Sequence, residues 1–163
     1  MDWVVDSSVA LAWGLPDETS PKAEQQFLES LADDILWVPA LWWYEIANAL
    51  VVAQRRLRIT EADRFNLLDL YGRLPLHTDA HLARETLGRL QALAVEHGLS
   101  AYDAAYLELA IRKAAVLATL DQRLMNVARH EGIRQNLKEI NCAVSPRPAG
   151  TPRRSRLPSN LCR

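Results

Sequence analysis

Four acidic residues fall at positions where an α/β protein places groups that bind ligands. They are Asp6, Glu45, Asp103 and Asp121. The first and the last come at or just after the ends of two short apolar segments, 3–5 and 115–119, which are typical of buried strands. Ligands of open α/β sheets bind in the crevice outside the carboxyl ends of such strands. Because long stretches of chain separate the four acids, only the tertiary fold could bring them together.

A cluster of carboxylates needs a cation. Like charges repel one another, and burial raises the cost of ionisation by several kcal/mol unless a positive group intervenes. Mg²⁺ and Mn²⁺ are divalent cations that prefer oxygen ligands, so either ion suits a set made only of carboxylates. The four acids together therefore predict a magnesium or manganese site.

Helix capping offers a simpler explanation for three of the acids. Asp6 and Asp121 each precede a predicted helix, and Asp103 follows Ser100 at capping-box spacing. Glu45 has no such explanation, because it is a lone carboxylate in the strongly apolar stretch 40–53. Caps also do not require a fourth acid in a neighbouring helix, so the set favours function.

The elements that must position these acids alternate along the chain. The predicted strands are 3–6, 35–38, 74–78 and 115–119. The predicted helices begin at Ser7 or Ser8 and then cover 21–32, 40–53, 60–71, 79–97, 100–113 and 121–132. Strands that alternate with long helical crossovers indicate a parallel sheet covered by helices on both faces, an α/β fold.

Length and composition indicate one globular domain. The chain has 163 residues, of which 49% are hydrophobic and 24% charged. No apolar run approaches the roughly 18 residues of a membrane span, and the N-terminus lacks the pattern of a signal peptide. We therefore expect a cytoplasmic protein that does not enter a membrane. Cys142 and Cys162 by themselves build neither a metal site nor a disulfide framework.

Charge divides the chain into two parts. Residues 1–140 carry all 20 acidic side chains, whereas residues 141–163 contain five arginines, four prolines and no acid. A proline-rich segment of one charge cannot bury enough apolar surface to offset its ordering entropy. We therefore predict a folded domain over 1–140 and a disordered basic tail over 141–163. The tail either binds nucleic acid electrostatically or is a dispensable extension.

Four motifs around the acids carry a family resemblance. VVDSSVALAW at 4–13, YEIANAL at 44–50, LSAYDAAYLELA at 99–110 and LATLDQRL at 117–124 resemble the PIN-domain ribonucleases, and among them the VapC toxins of toxin–antitoxin pairs. The resemblance extends over about residues 2–135, with the motifs in the same order and spacing. It implies a Rossmann-like α/β/α sandwich in which the four acids bind Mg²⁺ or Mn²⁺.

The resemblance also implies a function, that of a metal-dependent endoribonuclease that cleaves RNA phosphodiester bonds. Asp6, Asp103 and Asp121 would be the metal ligands, the first two directly, and Glu45 would act through water or orient the attacking water. A small antitoxin would cover the acidic cleft with its C-terminal segment. The apolar residues 42–44 and the helix 60–71 would contact that partner or a second copy in a homodimer, although core packing explains the same residues.

Several polar residues are candidates for RNA contact. The resemblance matches Ser7 or Ser8 to the small hydroxyl residues after the first acid, and Asn48 to an amide beyond the second. The candidate phosphate contacts are Arg55 and Arg123, with Arg56, Arg58, Arg112 and Lys113. For any single cation, a solvated helix end or face is the simpler explanation. The four histidines do not predict a metal site, because His77 and His81 straddle the end of a predicted strand.

Other classes of protein fit the acids less well. A haloacid-dehalogenase-like phosphatase needs a second aspartate two positions after Asp6, where this chain has Ser8. A receiver domain needs an acidic pair beside the first strand and a late lysine, and neither is found. The remaining alternative is a catalytically silent PIN-like module that binds RNA or protein. Such modules usually lose acids, and this chain keeps all four.

Overall fold

The computed structural model describes residues 1–15 and 34–134. The strands are β1 Asp2–Val5, β2 Ile35–Pro39, β3 Leu76–Asp79 and β4 Val116–Ala118. The helices are α1 Ser7–Gly14, α2 Leu41–Arg55, α3 Glu61–Arg73, α4 Arg84–His97, α5 Ala101–Lys113 and α6 Gln122–His130. The helix predicted over 21–32 and the tail predicted over 141–163 lie outside these residues. No helix in the part described has the length and apolar character needed to cross a membrane.

The four strands form one parallel sheet in the order β3-β2-β1-β4. Trp3 in β1 is paired with Leu36 on one side and Val116 on the other. From β1 the chain builds outward through β2 and β3, then returns to add β4 on the opposite side. The strand order therefore reverses between β1 and β4, and α/β sheets bind ligands at such a reversal.

Helices cover both faces of this sheet. Trp3, Val4 and Val5 are consecutive residues of β1, and all three are buried. Successive side chains of a strand point to opposite faces, so burial of all three requires packing on each side. All three residues of β4 are buried as well. The predicted fold class, an α/β protein with a central parallel sheet, is confirmed.

Helix α2 is less uniformly buried than its composition suggests. Trp42, Ile46 and Leu50 recur at helical spacing and form a buried face, whereas Tyr44 is 78% exposed. The Trp42 ring packs edge-on against Tyr71 of α3, with ring centroids 5.9 Å apart. The prediction that residues 42–44 together provide a partner surface is thus wrong for Trp42, which lies fully in the core.

The region after β3 also differs from the prediction. A helix was expected over 79–97, but β3 continues to Asp79 and α4 begins at Arg84. The backbone carbonyl of Asp79 accepts a hydrogen bond from the Ala40 amide at 3.0 Å, which extends the pairing with β2. The Asp79 carboxylate accepts two more from Arg112, at 3.2 and 2.7 Å. These tertiary bonds hold Asp79 in the strand.

Candidate active site

Asp6 lies in the crevice between the ends of β1 and β4. Its amide donates to the carbonyl of Ala118 at 2.9 Å, and the residue is only 7% exposed. The carboxylate accepts hydrogen bonds from the hydroxyls of Ser8 and Thr119, each at 2.6 Å. The backbone of Ser8, in the first turn of α1, also forms a hydrogen bond with this carboxylate. Because two hydroxyl groups bind it as well, helix capping alone does not account for Asp6.

Ser8 and Thr119 each join two neighbouring segments of backbone. The Thr119 hydroxyl donates to Asp6 and accepts from the Asp121 amide at 3.0 Å. The Ser8 hydroxyl donates to Asp6 and accepts from the Leu120 amide at 3.1 Å. Because each hydroxyl is used as donor and acceptor, the turn after β1 and the turn after β4 are locked around one carboxylate.

Asp121 caps α6, as the simpler explanation predicted. Its carboxylate accepts a hydrogen bond from the Leu124 amide at 2.8 Å through Oδ1. The residue is exposed, and Oδ2 makes no hydrogen bond within the described part of the chain. Thr119 connects the Asp121 backbone to Asp6. Capping uses Oδ1 only, so Oδ2 of the same carboxylate can still bind a metal ion.

Asp103 lies in the first turn of α5, and Ser100 is the N-cap of that helix. The Ser100 hydroxyl accepts from the Asp103 amide at 3.0 Å and donates to its Oδ2 at 2.8 Å. The reciprocal bond of a capping box, which Thr60 and Asp63 complete at the start of α3, does not form here among the described residues. The carboxylate is therefore held near the crevice without being used as a cap.

Glu45 projects from α2 and is half-buried. The buried hydroxyl of Tyr106, one turn after Asp103 on α5, donates a hydrogen bond to Glu45 Oε2. Ser7 also forms a hydrogen bond with the Glu45 side chain and contacts Asp6 Oδ1 at 3.4 Å. Glu45 is therefore joined to the same group as Asp6 and Asp103, as the four-acid hypothesis requires.

The electrostatics of this group favour a cation. Burial raises the pKa of Asp6, and the negative charge of Asp103 raises it further. Burial likewise raises the pKa of Glu45, with added repulsion from Asp6 and Asp103. No lysine or arginine in residues 1–15 and 34–134 forms an ion pair with any of the three. Burial and the neighbouring acids also raise the pKa of Tyr106, which stays a hydrogen-bond donor.

The donor set fits a hard divalent cation. Three carboxylates lie within electrostatic reach of one another, and Asp121 is joined to them through Thr119. All of the ligand atoms that they offer are oxygen, which Mg²⁺ and Mn²⁺ prefer. Removal of the mutual repulsion by a bound cation would offset the cost of gathering these charges.

Comparison with known proteins identifies the family. The PIN domain family model matches residues 3–130 of this chain. The chain belongs to the PIN domain family. The family resemblance predicted from the four motifs is confirmed.

Relatives of this PIN domain include a curated protein named Ribonuclease VapC3 from Pyrobaculum aerophilum. The two are 34% identical over 128 residues, which cover 76% of this chain and 92% of the relative. One similar solved structure is PAE2754 from Pyrobaculum aerophilum, with 24% sequence identity and a TM-score of 0.62. Another is VapBC2 from Rickettsia felis bound to a promoter DNA fragment, with 16% sequence identity and a TM-score of 0.63. The matches cover 86% and 83% of this chain, and 87% and 98% of theirs.

A third solved structure is VapC20 from Mycobacterium tuberculosis, a toxin that cleaves the sarcin–ricin loop. It is 11% identical to this PIN domain, with a TM-score of 0.55, and the match covers 77% of this chain and 94% of that one. At these levels of identity the solved structures establish a shared fold.

The predicted RNA contacts of the PIN domain lie in different surroundings. Ser7 and Ser8 contact Asp6 directly, and Asn48 is exposed one turn after Glu45. Arg55 is also exposed, but it is the last residue of α2 and lies about 15 Å along the helix from Glu45. The structure therefore places Asn48 beside the acidic group and Arg55 away from it.

The other cations of the PIN domain mostly have structural partners. Arg112 binds Asp79 and the buried carboxylate of Glu108, the latter at 3.0 Å. The ammonium of Lys113 lies 3.5 Å from the centroid of the Trp37 ring. Arg123 donates a hydrogen bond to the carbonyl of Gly98. Arg56 and Arg58 are exposed after the end of α2.

Sequence analysis missed two residues of this site, Thr119 and Tyr106. Both lie inside the motifs, Thr119 two residues before Asp121 and Tyr106 three residues after Asp103. Helical spacing was a usable signal for Tyr106, because residues three apart on a helix share a face. No comparable signal existed for Thr119, whose partner Asp6 follows a different strand.

Proposed function

We propose that this PIN domain is a metal-dependent endoribonuclease and the toxin of a toxin–antitoxin pair, acting on RNA in the cytoplasm. The observation that carries the proposal is the group formed by Asp6, Glu45 and Asp103, which has no basic partner among the described residues. The group lies at the reversal of strand order, where α/β sheets bind ligands. The name of the relative from Pyrobaculum aerophilum, a ribonuclease, supports the same activity.

Mg²⁺ or Mn²⁺ would be held by Asp6, Asp103 and Asp121, with Glu45 beside them. When bound, such an ion lowers the pKa of a coordinated water and neutralises charge on the phosphate. Asp6 is suited to hold it because Ser8 and Thr119 restrict the carboxylate to one orientation. Asp121 would contribute Oδ2, which capping leaves available.

Glu45 is the residue best suited to move a proton. Burial and neighbouring acids raise the pKa of its carboxyl, which brings it closer to the working range of a general base. Tyr106 and Ser7 fix its orientation by hydrogen bonds. Glu45 would accept a proton from the attacking water, while Asn48 on the next turn of α2 would contact the RNA strand.

Two partners besides RNA are proposed, an antitoxin and a second copy of the chain. The similar solved structure from Rickettsia felis is that of VapBC2, which supports a protein partner. Helix α3 offers apolar surface, with Phe65 and Leu68 exposed by 54% and 46%. Tyr44 on α2 is exposed as well. These side chains are available for either partner, whereas Trp42 is not.

The test is cleavage of single-stranded RNA by the purified full chain with Mg²⁺ or Mn²⁺ and with EDTA. We expect cleavage with either metal and none with EDTA. Asp6→Asn and Asp103→Asn should each reduce the rate by at least about 100-fold, because loss of even an outer partner of a metal ligand costs 10–100-fold. Asp69→Asn is the matched control, since Asp69 pairs with Arg73 on exposed α3.

Four outcomes would contradict the proposal. Undiminished cleavage in EDTA, or products that carry cyclic phosphates, would exclude the metal mechanism. Equal cleavage by Asp6→Asn and Asp69→Asn would place the active site elsewhere. RNA binding without cleavage under any metal would favour the catalytically silent alternative.

A further inference from the structure

A second group of possible metal ligands lies at the C-terminal ends of two helices. It consists of His97, the last residue of α4, with His130 and Glu131 at the end of α6. Glu131 Oε1 lies 3.2 Å from His97 Nε2 and 3.3 Å from His130 Nδ1. The ligand atoms of all three side chains lie within 4.8 Å of one another.

These separations match the spacing of ligands around zinc. Zn²⁺ binds imidazole nitrogen at about 2.0–2.1 Å and carboxylate oxygen at about 2.0–2.2 Å, so neighbouring tetrahedral ligands lie roughly 3.3–3.5 Å apart. Two of the three separations, at 3.2 and 3.3 Å, already have nearly that length. The exposed His130 side chain can close the third by rotation, because nothing buries it.

His97 provides a second, independent indication. Its side chain is only 9% exposed, and Nε2 makes no hydrogen bond of acceptable geometry with any described residue. A buried polar atom left without a partner costs about 1–3 kcal/mol, so a ligand for it would be stabilising. The contact with Glu131 is close but poorly directed, as expected for two ligands that point toward a common centre.

The surroundings favour a positive ion. Both α4 and α6 end at this group, and the C-terminal end of a helix carries a partial negative charge from its unpaired carbonyls. No lysine or arginine of the described residues forms an ion pair with Glu131.

We propose that His97, His130 and Glu131 form a binding site for a zinc-class divalent ion, separate from the acidic group. The two sites differ in ligand chemistry, because imidazole selects zinc-class metals and carboxylates alone suit Mg²⁺. They also lie at opposite ends of α6, whose nine residues span about 13 Å. Three protein ligands leave a fourth position for water.

The ion would clamp the helices that carry two of the acids. Asp121 is the N-cap of α6, and the turn after His97 leads directly to Ser100 and Asp103. Arg123, near the start of α6, already donates to the carbonyl of Gly98. The ion would connect the far end of α6 to the same turn, so that α6 and the start of α5 are held together at two points.

The experiment is a zinc titration of the full chain by competition with a chromophoric chelator, in excess Mg²⁺. The parent carries Cys142→Ser and Cys162→Ser, because thiols also bind zinc. We expect one tight equivalent, and His97→Gln and His130→Gln should each weaken it by at least about tenfold. His77→Gln with His81→Gln is the matched control, and Asp6→Asn should leave zinc affinity unchanged.

Two further measurements complete the test. Co²⁺ bound at this site should show the visible spectrum of a four-coordinate ion, which His130→Gln abolishes. Zinc should also raise the melting temperature of the parent by more than that of His130→Gln. The His130 side chain is 76% exposed, so its replacement should not disturb the fold. The proposal is overturned if zinc binds equally well without both histidines, if binding depends on Asp6, or if no tight equivalent is found.

Discussion

The hydroxyl of Thr119 lies 2.6 Å from the carboxylate of Asp6, which it reaches from the end of the neighbouring parallel strand. Thr119 is fully buried and belongs to the turn that leads to Asp121. One side chain thus joins two of the four acids, one through its carboxylate and the other through its backbone amide. The acids of this PIN domain are positioned as a connected group.

Thr119→Val tests this connection, because it preserves shape and removes the hydroxyl. The Asp121 amide and the Asp6 carboxylate both lose a partner, so we expect a loss of about 1–3 kcal/mol in the free energy of unfolding. RNA cleavage should fall by about 10–100-fold. Chemical denaturation and initial cleavage rates measure the two effects. Thr119→Ser keeps the hydroxyl, so it should retain most of the stability and most of the cleavage rate. If Thr119→Val and Thr119→Ser behave alike, the hydroxyl does not connect the acids.

Tyr106→Phe tests the role of Glu45. The Tyr106 hydroxyl lowers the pKa of Glu45 by donating to it, in opposition to the larger effect of burial. Loss of this bond should raise the pKa further, so the acidic limb of the pH–rate profile should move to higher pH. Tyr102→Phe is the control, because Tyr102 is 66% exposed on the same helix. An unshifted profile would show that Glu45 does not accept the proton.

The contribution of Asp6 to the stability of the metal-free protein should fall as pH rises. The folded-state pKa of Asp6 is raised above its ordinary 3.8, mainly by burial. Its protonated form therefore stabilises the fold below that ordinary value, and this contribution is lost as pH rises through the folded-state pKa. In EDTA at neutral pH, Asp6→Asn should melt at the same temperature as wild type or up to about 4 °C higher.

A bound metal ion should make wild type melt at a higher temperature than Asp6→Asn, which is the reverse of the order expected in EDTA. Mn²⁺ that binds the native wild type raises its free energy of unfolding by RT ln(1 + [Mn²⁺]/Kd), and Asp6→Asn loses much of that affinity. Thermal melting of both proteins with EDTA and with Mn²⁺, from pH 4 upward, gives the comparison, with Asp69→Asn as control. If Asp6→Asn is less stable than wild type in EDTA at pH 7, hydrogen bonding rather than charge dominates at this carboxylate.

Arg112 should stabilise the fold rather than bind RNA phosphate. Burial opposes ionisation of Asp79, but hydrogen bonds and charge from Arg112 outweigh it and hold the pKa below its ordinary value. Arg112→Met leaves the buried Glu108 with Arg89 alone and Asp79 with neither of its charged hydrogen bonds. We expect a loss of about 2–3 kcal/mol in the free energy of unfolding.

Arg73→Met is the control for this prediction, because the Arg73 side chain is 77% exposed and pairs only on the surface of α3. Denaturant unfolding of both variants measures the difference. If Arg112→Met is as stable as wild type but raises the KM for RNA, a phosphate contact is the better explanation of this arginine.

Removal of residues 141–163 tests the predicted domain boundary. Their five arginines and four prolines offer the core little to bury, so the shortened chain should keep its melting temperature and its cleavage rate. Calorimetry and the RNA assay compare it with the full chain. A fall of more than about 5 °C would show that the segment packs on the domain.

Local patterns in the sequence determined much of this protein. The carboxyl ends of β1 and β4, each to within one residue, and the helix caps Ser100 and Asp121 follow from neighbouring residues, which is why they were predictable. The order and spacing of the four motifs predicted the family. Glu45 was notable because a single charge in an apolar helix needs a partner.

Tertiary structure decided which side chains meet. Asp6 and Thr119 follow two different strands, Arg112 on α5 reaches Asp79 at the end of β3, and His97 and His130 come from separate helices. Local propensity carries no information about such pairs, because each depends on strand order and helix packing. Arg112 was therefore predicted to contact phosphate, and the histidines were not predicted to bind metal. Chemistry that needs several distant residues is set by the fold, since only the fold determines their separations.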